Sequence, residues 1–320
     1  MQRRTPTIAV VGSLNMDLVT HTTRRPTRGE TLIGQSFETY VGGKGLNQAI
    51  AAARMEANVH MIGRTGQDDF GLQLVQALID EGIATEHILR DEIASTGIAT
   101  IIINDTGDNS IIIVPGANAH LSVADVDRAA DVIIAADVLL LQLEVPLDTV
   151  QHAAYIAHQA GTKVLLNPAP AQPLSHEILH VVDVLTPNET ETATLTQLDL
   201  SQEAMVSQAA EMLLARGVGA AVLTLGARGA LLAERLMEEG TQPEHIPGYR
   251  VTVVDTTAAG DAFCGALAVQ FAQGYPLDQA VRYANAAGAL TTTSFGAALS
   301  IPSRAAIEQL LSTQSDHNWR

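Results

Sequence analysis

Short apolar runs alternate along the chain with longer stretches in which apolar positions recur every three to four residues. The runs are Ile8–Val11, Val138–Leu143, Val164–Leu166, Val181–Leu185 and Ala221–Leu225. Several are apolar throughout, as strands buried on both faces should be. The longer stretches predict helices near Leu46–Glu56, Phe70–Asp80, Asp148–Gln159, Gln202–Arg216, Asp261–Gln273 and Leu277–Thr293. Strand and helix in turn imply an α/β fold of three layers, with a mostly parallel central sheet and helices on both faces. Two regions break the alternation. Residues 16–41 and 95–114 read as β segments with no helix between them. In the second, two Ile-rich runs flank Asn104–Asn109, which reads as a hairpin turn. These pieces are expected to form a small sheet standing off one domain that spans the chain, as a lid or as a dimer surface.

Polar or glycine-rich residues follow each run: "GSLNMD" after the first, Glu144 after the second, then "NPAP", "TPNETE" and "GARG". In an open parallel sheet, ligands bind along the edge formed by the C-terminal ends of the strands. Turns gather there in every α/β protein, so the individual side chains must carry the functional case.

Composition narrows the options. The 320 residues are 47% hydrophobic but only 3% aromatic. The core must therefore be built from Ala, Val, Ile and Leu, and aromatic platforms for stacking bases are not expected. A net charge of −17 argues against a nucleic-acid or anionic-membrane surface, though not against a small anionic ligand in a locally positive site. The single cysteine, Cys264, rules out an intrachain disulfide and a cysteine-based zinc cluster, and reads as a small buried residue. The sequence shows neither a signal-peptide core nor an apolar run of membrane-spanning length, so a soluble cytoplasmic protein is expected.

The stretch "DTTAAGDAFCGAL", Asp255 to Leu267, combines two aspartates with almost no side chains between them. Asp261 could simply cap the helix that follows. A fuller reading uses the whole stretch. A helix start offers unpaired N–H groups and partial positive charge, which attract phosphate. Ala258, Ala259 and Gly260 let a phosphoryl group approach the backbone, and Asp261 could take the proton of an attacking hydroxyl. Those are the parts phosphoryl transfer needs. The chain has no G-x-x-x-x-G-K-[ST] loop and no protein-kinase signature, so the cradle is of another kind.

Taken together, "VVGSLNMDLV", "GGKGLNQAIAAARMEANV", "LLQLEVPL", "LNPAPA", "TPNETE", "LTLGARGA" and "DTTAAGDAF" resemble, in this order, the ribokinase-like (PfkB) carbohydrate kinases over nearly the whole chain. The resemblance implies ATP-dependent phosphorylation of the 5-hydroxyl of D-ribose. It places Asn15, Asp17, Gly42, Gly43, Lys44, Asn47 and Glu144 against the sugar, and Asp261 as base beside an anion hole made by Ala258, Ala259 and Gly260. Asn188, Glu191, Thr224, Gly226, Arg228, Gly229 and Asn285 would line the nucleotide, with Glu191 holding Mg²⁺ through water. Asn188 and Glu191 also stand at capping-box spacing, and both roles can hold at once. Asp255, Thr257, Thr291, Ser294, Gly296 and Ser300 match a monovalent-cation site, usually for K⁺.

The partners expected are a sugar and ATP, with a second copy of the chain through the lid; a monomer with its lid folded down fits the pattern equally. Other readings stay open. A related kinase could act on 2-deoxyribose, fructose, adenosine or pseudouridine, and a silent sensor could share the fold. A dinucleotide enzyme would want G-x-G-x-x-G after the first strand, which "VVGSLNMD" lacks. "HEILH", His176 to His180, fits the H-E-x-x-H zinc pattern but has no evident third ligand and reads equally as a turn of helix covering the sheet.

Overall fold

The computed structural model describes residues 4–235 and 242–314; the C-terminal "SDHNWR", with Trp319, lies outside them. The chain begins with β1 (Thr7–Val11), β2 (Asn15–His21), β3 (Ser36–Gly42), α1 (Lys44–Arg54), β4 (Asn58–Gly66), α2 (Asp69–Asp80) and β5 (Ala84–Asp91). It continues through β6 (Gly97–Ile103), β7 (Asn109–Val114), α3 (Val123–Arg128), α4 (Ala130–Ala135), β8 (Val138–Leu141), α5 (Leu147–Ala160) and β9 (Lys163–Leu166). Then come α6 (His176–His180), β10 (Val184–Leu185), α7 (Glu189–Thr196), α8 (Glu203–Ala215), β11 (Ala220–Thr224), β12 (Ala230–Glu234) and β13 (Glu244–Ile246). Four helices close the chain: α9 (Ala259–Ala272), α10 (Leu277–Thr291), α11 (Ala297–Ser300) and α12 (Arg304–Gln314).

Among the described residues, nine strands form one sheet in the order β13-β12-β11-β10-β9-β8-β1-β4-β5. The seven strands from β5 to β11 pair in parallel; β12 and β13 are added antiparallel. The predicted mostly parallel sheet is thus present. Within the continuous apolar runs, alternate residues serve opposite faces. Ile8, Val10, Leu140 and Leu165 pack with α1, α9 and α10. Ala9, Val11, Leu139, Leu141, Val164 and Leu166 pack with α3, α5, α6 and α8.

Two predicted strands shorten. The run Val138–Leu143 ends its pairing at Leu141, because Leu143 N–H already donates to the Ala169 carbonyl. In Val181–Leu185, the first two residues close α6 with bonds to Ile178 and Leu179, which leaves β10 only two residues long. The apolar runs did not reveal β4, because His60 and Arg64 interrupt it. Arg64 is tolerated there because its guanidinium bonds Asp91 at 2.7 Å and Asp125 at 2.9 Å.

The two helix-free regions form a separate four-stranded sheet, in the order β3-β2-β6-β7. The predicted hairpin turn is present, closed by a bond from Asn104 N–H to the Asp108 carbonyl at 3.1 Å. Strand β2 begins only four residues after β1 ends, so the small sheet starts directly over the C-terminal edge of the large one. At that edge the strand order turns about β1: the chain first builds β4 and β5 on one side, then β8 to β11 on the other. Such a switch point leaves a crevice.

Candidate active site

Helix α9 brings Asp261 to this crevice. The helix is buried on all sides from Asp261 to Gln270, which explains why its sequence is apolar around its whole circumference. It packs closely on α1 because Gly265 has no side chain: a Cβ there would lie 2.5 Å from Ala51 Cβ and 2.7 Å from the Gln48 carbonyl. This approach sets Asn47 and Gln48 beside Asp261. Asn47 Nδ2 donates to Asp261 Oδ2 and Gln48 Nε2 to Asp261 Oδ1, each at 3.0 Å.

The start of α9 is open. Ala258 adopts a left-handed conformation, φ 60°, and a Cβ at the exposed Gly260 would meet nothing within 4 Å. The N–H groups of Gly260 and Asp261 fall in the first turn, where a helix has no carbonyl to offer them. Asp261 is only 7% exposed. Burial raises its pKa above the usual aspartate value, opposed by Lys44 and by the bonds from Gln48 and Asn47.

A second group of side chains gathers at the other end of the crevice. Glu144, just past β8, accepts from Ser13 Oγ at 2.5 Å, Lys44 N–H at 3.1 Å and Asn15 Nδ2 at 3.4 Å. Asn118 bridges Leu14 and Asn15: it accepts from Leu14 N–H at 2.9 Å and donates to Asn15 Oδ1 at 2.8 Å. Asp17 is buried nearby, and Gly42 makes room for it; a Cβ at Gly42 would lie 2.4 Å from Asp17 Oδ2. Gly43, with φ at 92°, turns β3 into α1, and a side chain there would strike Asn15 N at 2.8 Å. Burial, reinforced by Glu144 and Asp261, raises Asp17 to a pKa of about 7. Burial works against the charge of Lys44, yet Asp261, Glu144 and Glu191 together hold its pKa above the usual lysine value. The buried Oδ1 of Asn47 has no partner among the described residues.

The residues predicted to line a nucleotide lie beyond β10 and β11. Asn188 and Glu191 form the capping box of α7: Asn188 Oδ1 accepts from Glu191 N–H at 2.8 Å, and Glu191 Oε2 from Asn188 N–H at 2.7 Å. Glu191 Oε1 takes the Asn188 amide at 2.9 Å. Burial raises the Glu191 pKa. Thr224 ends β11, followed by Gly226 and Gly229 with φ of 58° and 95°. Arg228 pairs with Glu189 at 2.5 Å. Asn285 donates from α10 to the carbonyls of Ile246 and Pro247 at 3.1 and 3.2 Å. A cavity of about 400 Å³ opens beside this loop, lined in part by Leu225, Ala227, Arg228, Pro247, Gly248 and Tyr249.

The residues predicted for a monovalent cation separate into two groups. Asp255 Oδ1 accepts from Thr257 Oγ at 2.7 Å and Oδ2 from Gly296 N–H at 3.1 Å, so the loop through the exposed Ser294 closes over this carboxylate. The hydroxyls of Thr291 and Ser300 turn into their own helices, donating to Ala287 and Ala297, each at 2.9 Å. "HEILH" is the five-residue α6, and among the described residues no three His, Cys, Asp or Glu side chains are grouped to hold a metal. Cys264 is buried against Thr186, and burial pushes its thiol up to about 12, which keeps it protonated.

The sequence reading missed Ser13, Gln48, Asn118, Gln142 and Asn167. One carried a faint signal: Gln142 is a lone amide inside the apolar run "VLLLQL".

The chain belongs to the pfkB family of carbohydrate kinases, whose pattern spans residues 5–304. It is 41% identical over 298 residues to a ribokinase of Haemophilus influenzae, covering 93% of this chain and 96% of that one. It is 38% identical over 306 residues to a deoxyribokinase of Salmonella typhi, covering 95% and 98%. The fold matches that of Arabidopsis thaliana ribokinase complexed with ribose and ATP, with a TM-score of 0.87, 33% identity and coverage of 96% and 99%. The protein is a phosphotransferase, as the resemblance implied. Among the described residues no helix is long and apolar enough to cross a membrane.

Proposed function

We propose that this enzyme transfers the γ-phosphoryl group of ATP to the 5-hydroxyl of D-ribose. The observation that carries this reading is the buried Asp261 carboxylate, held by two amides at the open first turn of α9. Asp261 takes the proton of the hydroxyl as its oxygen bonds to the γ-phosphorus. The bond from that phosphorus to the bridging oxygen breaks, giving ribose 5-phosphate and ADP. The free first-turn N–H groups of Gly260 and Asp261 face the charge on the transferred group, with Ala258 and Ala259 shaping the approach; the Ala259 N–H itself donates to the Thr256 carbonyl at 3.3 Å. Asn15, Asp17, Asn47, Lys44 and Glu144 supply the donors and acceptors a polyol needs, and the unpartnered Asn47 Oδ1 awaits a hydroxyl. The small sheet acts as a lid that excludes water and so limits ATP hydrolysis.

The nucleotide lies along Asn188, Thr224, Gly226, Arg228, Gly229 and Asn285. Each Glu191 oxygen has one lone pair left beyond its Asn188 bond, which suits holding Mg²⁺ through water. Mg²⁺, when bound, neutralises phosphate charge. K⁺ would take oxygen ligands from the loop at Asp255, Thr257, Ser294 and Gly296 and order it behind the anion cradle; Thr291 and Ser300, whose hydroxyls donate into their own helices, would join through their main-chain oxygens. The uncovered Ile111, Ile112 and Ile113 of β7 are the surface on which a second copy packs.

2-Deoxyribose is the second reading, because the Salmonella typhi relative at 38% identity is a deoxyribokinase. Asn15 favours ribose: with Asn118 occupying its Oδ1, its Nδ2 points toward Glu144 and is placed to donate to a 2-hydroxyl. The test is a panel of ribose, 2-deoxyribose, fructose, adenosine and pseudouridine, with and without K⁺, followed by Asp261→Asn on the preferred substrate. Ribose should give the highest kcat/KM. The variant should lose about 10³-fold in kcat while still binding ATP. Preference for a nucleoside would overturn the sugar assignment, and an active variant would overturn the base.

A further inference from the structure

We infer that Gln48 is a positioning residue for Asp261, its amide locked in the productive orientation by Gln142. This rests on the reading of Asp261 as the base. Gln48 and Gln142 are both fully buried. Gln48 Oε1 accepts from Gln142 Nε2 at 2.7 Å, so its NH₂ group must face the other way. There it donates twice, to Asp261 Oδ1 at 3.0 Å and to Asn167 Oδ1 at 3.1 Å. Asn167 is oriented in turn by its own donation to the Thr186 carbonyl at 2.9 Å. The acceptor oxygens of Asp261 and Asn167 on one side and the Gln142 NH₂ group on the other allow Gln48 a single orientation, while Gln142 Oε1 is itself buried without a partner among the described residues. The direction of donation runs from Gln142 through Gln48 to the carboxylate.

Space for this relay is reserved by glycines. A Cβ at Gly12 would lie 2.0 Å from Gln142 Oε1, and Gly265 admits Gln48 to the face of α9. The relay gives Asp261 two things. Oδ1 is tethered by Gln48 as Oδ2 is by Asn47, each at 3.0 Å, which fixes the plane of the carboxylate that faces the hydroxyl. The Gln48 donor also opposes the effect of burial, which otherwise raises the pKa of the carboxylate. Other charged and titratable groups face Asp261: Lys44 on α1, Glu144 after β8, Asp17 on β2, Glu191 on α7 and Cys264 on its own helix. The relay variants leave all of these in place, and Lys44 remains the main opposing charge.

The experiment is the pH profile of kcat for wild type, Gln48→Met and Gln142→Leu, with the sugar on which the wild type is most active. Gln48→Met removes the donor and keeps the volume. It should lower kcat at pH 7 about tenfold and move the acid limb of the profile up by about one pH unit. The sugar KM should stay within about twofold of wild type. Gln142→Leu touches neither Asp261 nor the sugar residues, and should move the acid limb in the same direction by a smaller step. Should Gln48→Met fold poorly, Gln142→Leu decides alone.

An acid limb at the wild-type pH in the folded variants, or a defect confined to KM, would overturn the relay. Asp261→Asn separates the two claims. If it is inactive while the relay variants keep the wild-type profile, only the relay falls. If it is active, both the base and the relay fall.

Discussion

Asp17 shows at single-residue scale what the site costs the fold. Its pKa of about 7 lies well above the 3.8 of an ordinary aspartate, because it is buried, with Glu144 and Asp261 close by. The folded enzyme therefore holds that proton more tightly than the unfolded chain. The resulting stability is complete below pH 4 or so and is lost as pH rises through about 7. Asp17→Asn should cancel that loss. Its melting temperature without ligands should exceed that of wild type at pH 8, with the gap closing toward pH 5. Its sugar KM should rise about tenfold or more. Melting curves across that range check the first point, and parallel curves would assign the dependence to another group. Asp17 and Asp261 were legible in the sequence: Asp17 closes the polar stretch after the first apolar run, and Asp261 sits among alanines and a glycine. Gln48 was not, since a glutamine in an alanine-rich helix reads as a solvated side chain until α9 is known to cover it.

At the scale of elements, the contact between α1 and α9 does most to assemble the site. Gly265→Val would drive a side chain into Ala51 and the Gln48 carbonyl, and α9 would have to move away. The expected cost is about 1–3 kcal/mol in urea denaturation, with a fall in kcat because Asp261 leaves its two amide donors. Cys264→Val would leave that contact alone, since Cys264 faces Thr186. Six helices, α1, α2, α5, α8, α9 and α10, were legible from their spacing to within about two residues at each end, whereas the short α3, α4 and α11 and the C-terminal α12 were not read. The strands β4, β5, β12 and β13 were less legible. Paired charges such as Arg64 with Asp91 break the apolar pattern of β4, and β5 lies at an edge of the sheet where half-exposed residues are tolerated. The short β10 was overread, because two valines that close α6 continue the same apolar run.

At the scale of the whole molecule, the mostly parallel sheet and the separate small sheet were both readable, from the order of the runs and from the two stretches without helices. The sequence did not show which strands of the small sheet would be neighbours: β2 pairs in parallel with β6, across β3, α1, β4, α2 and β5 in the chain. That sheet leaves Ile112 64% exposed, beside Ile111 and Ile113. If a second copy covers them, Ile112→Asp should shift the protein to monomer in sedimentation, and an unchanged sedimentation coefficient would reject that surface. The site itself draws on both ends of the chain. Asn47 and Asp261 meet across 214 residues, and Gln48 and Asp261 across 213. A ribosome must therefore have released most of the polypeptide before the carboxylate finds its amides, so an unfinished chain carries no working centre with which to squander nucleotide.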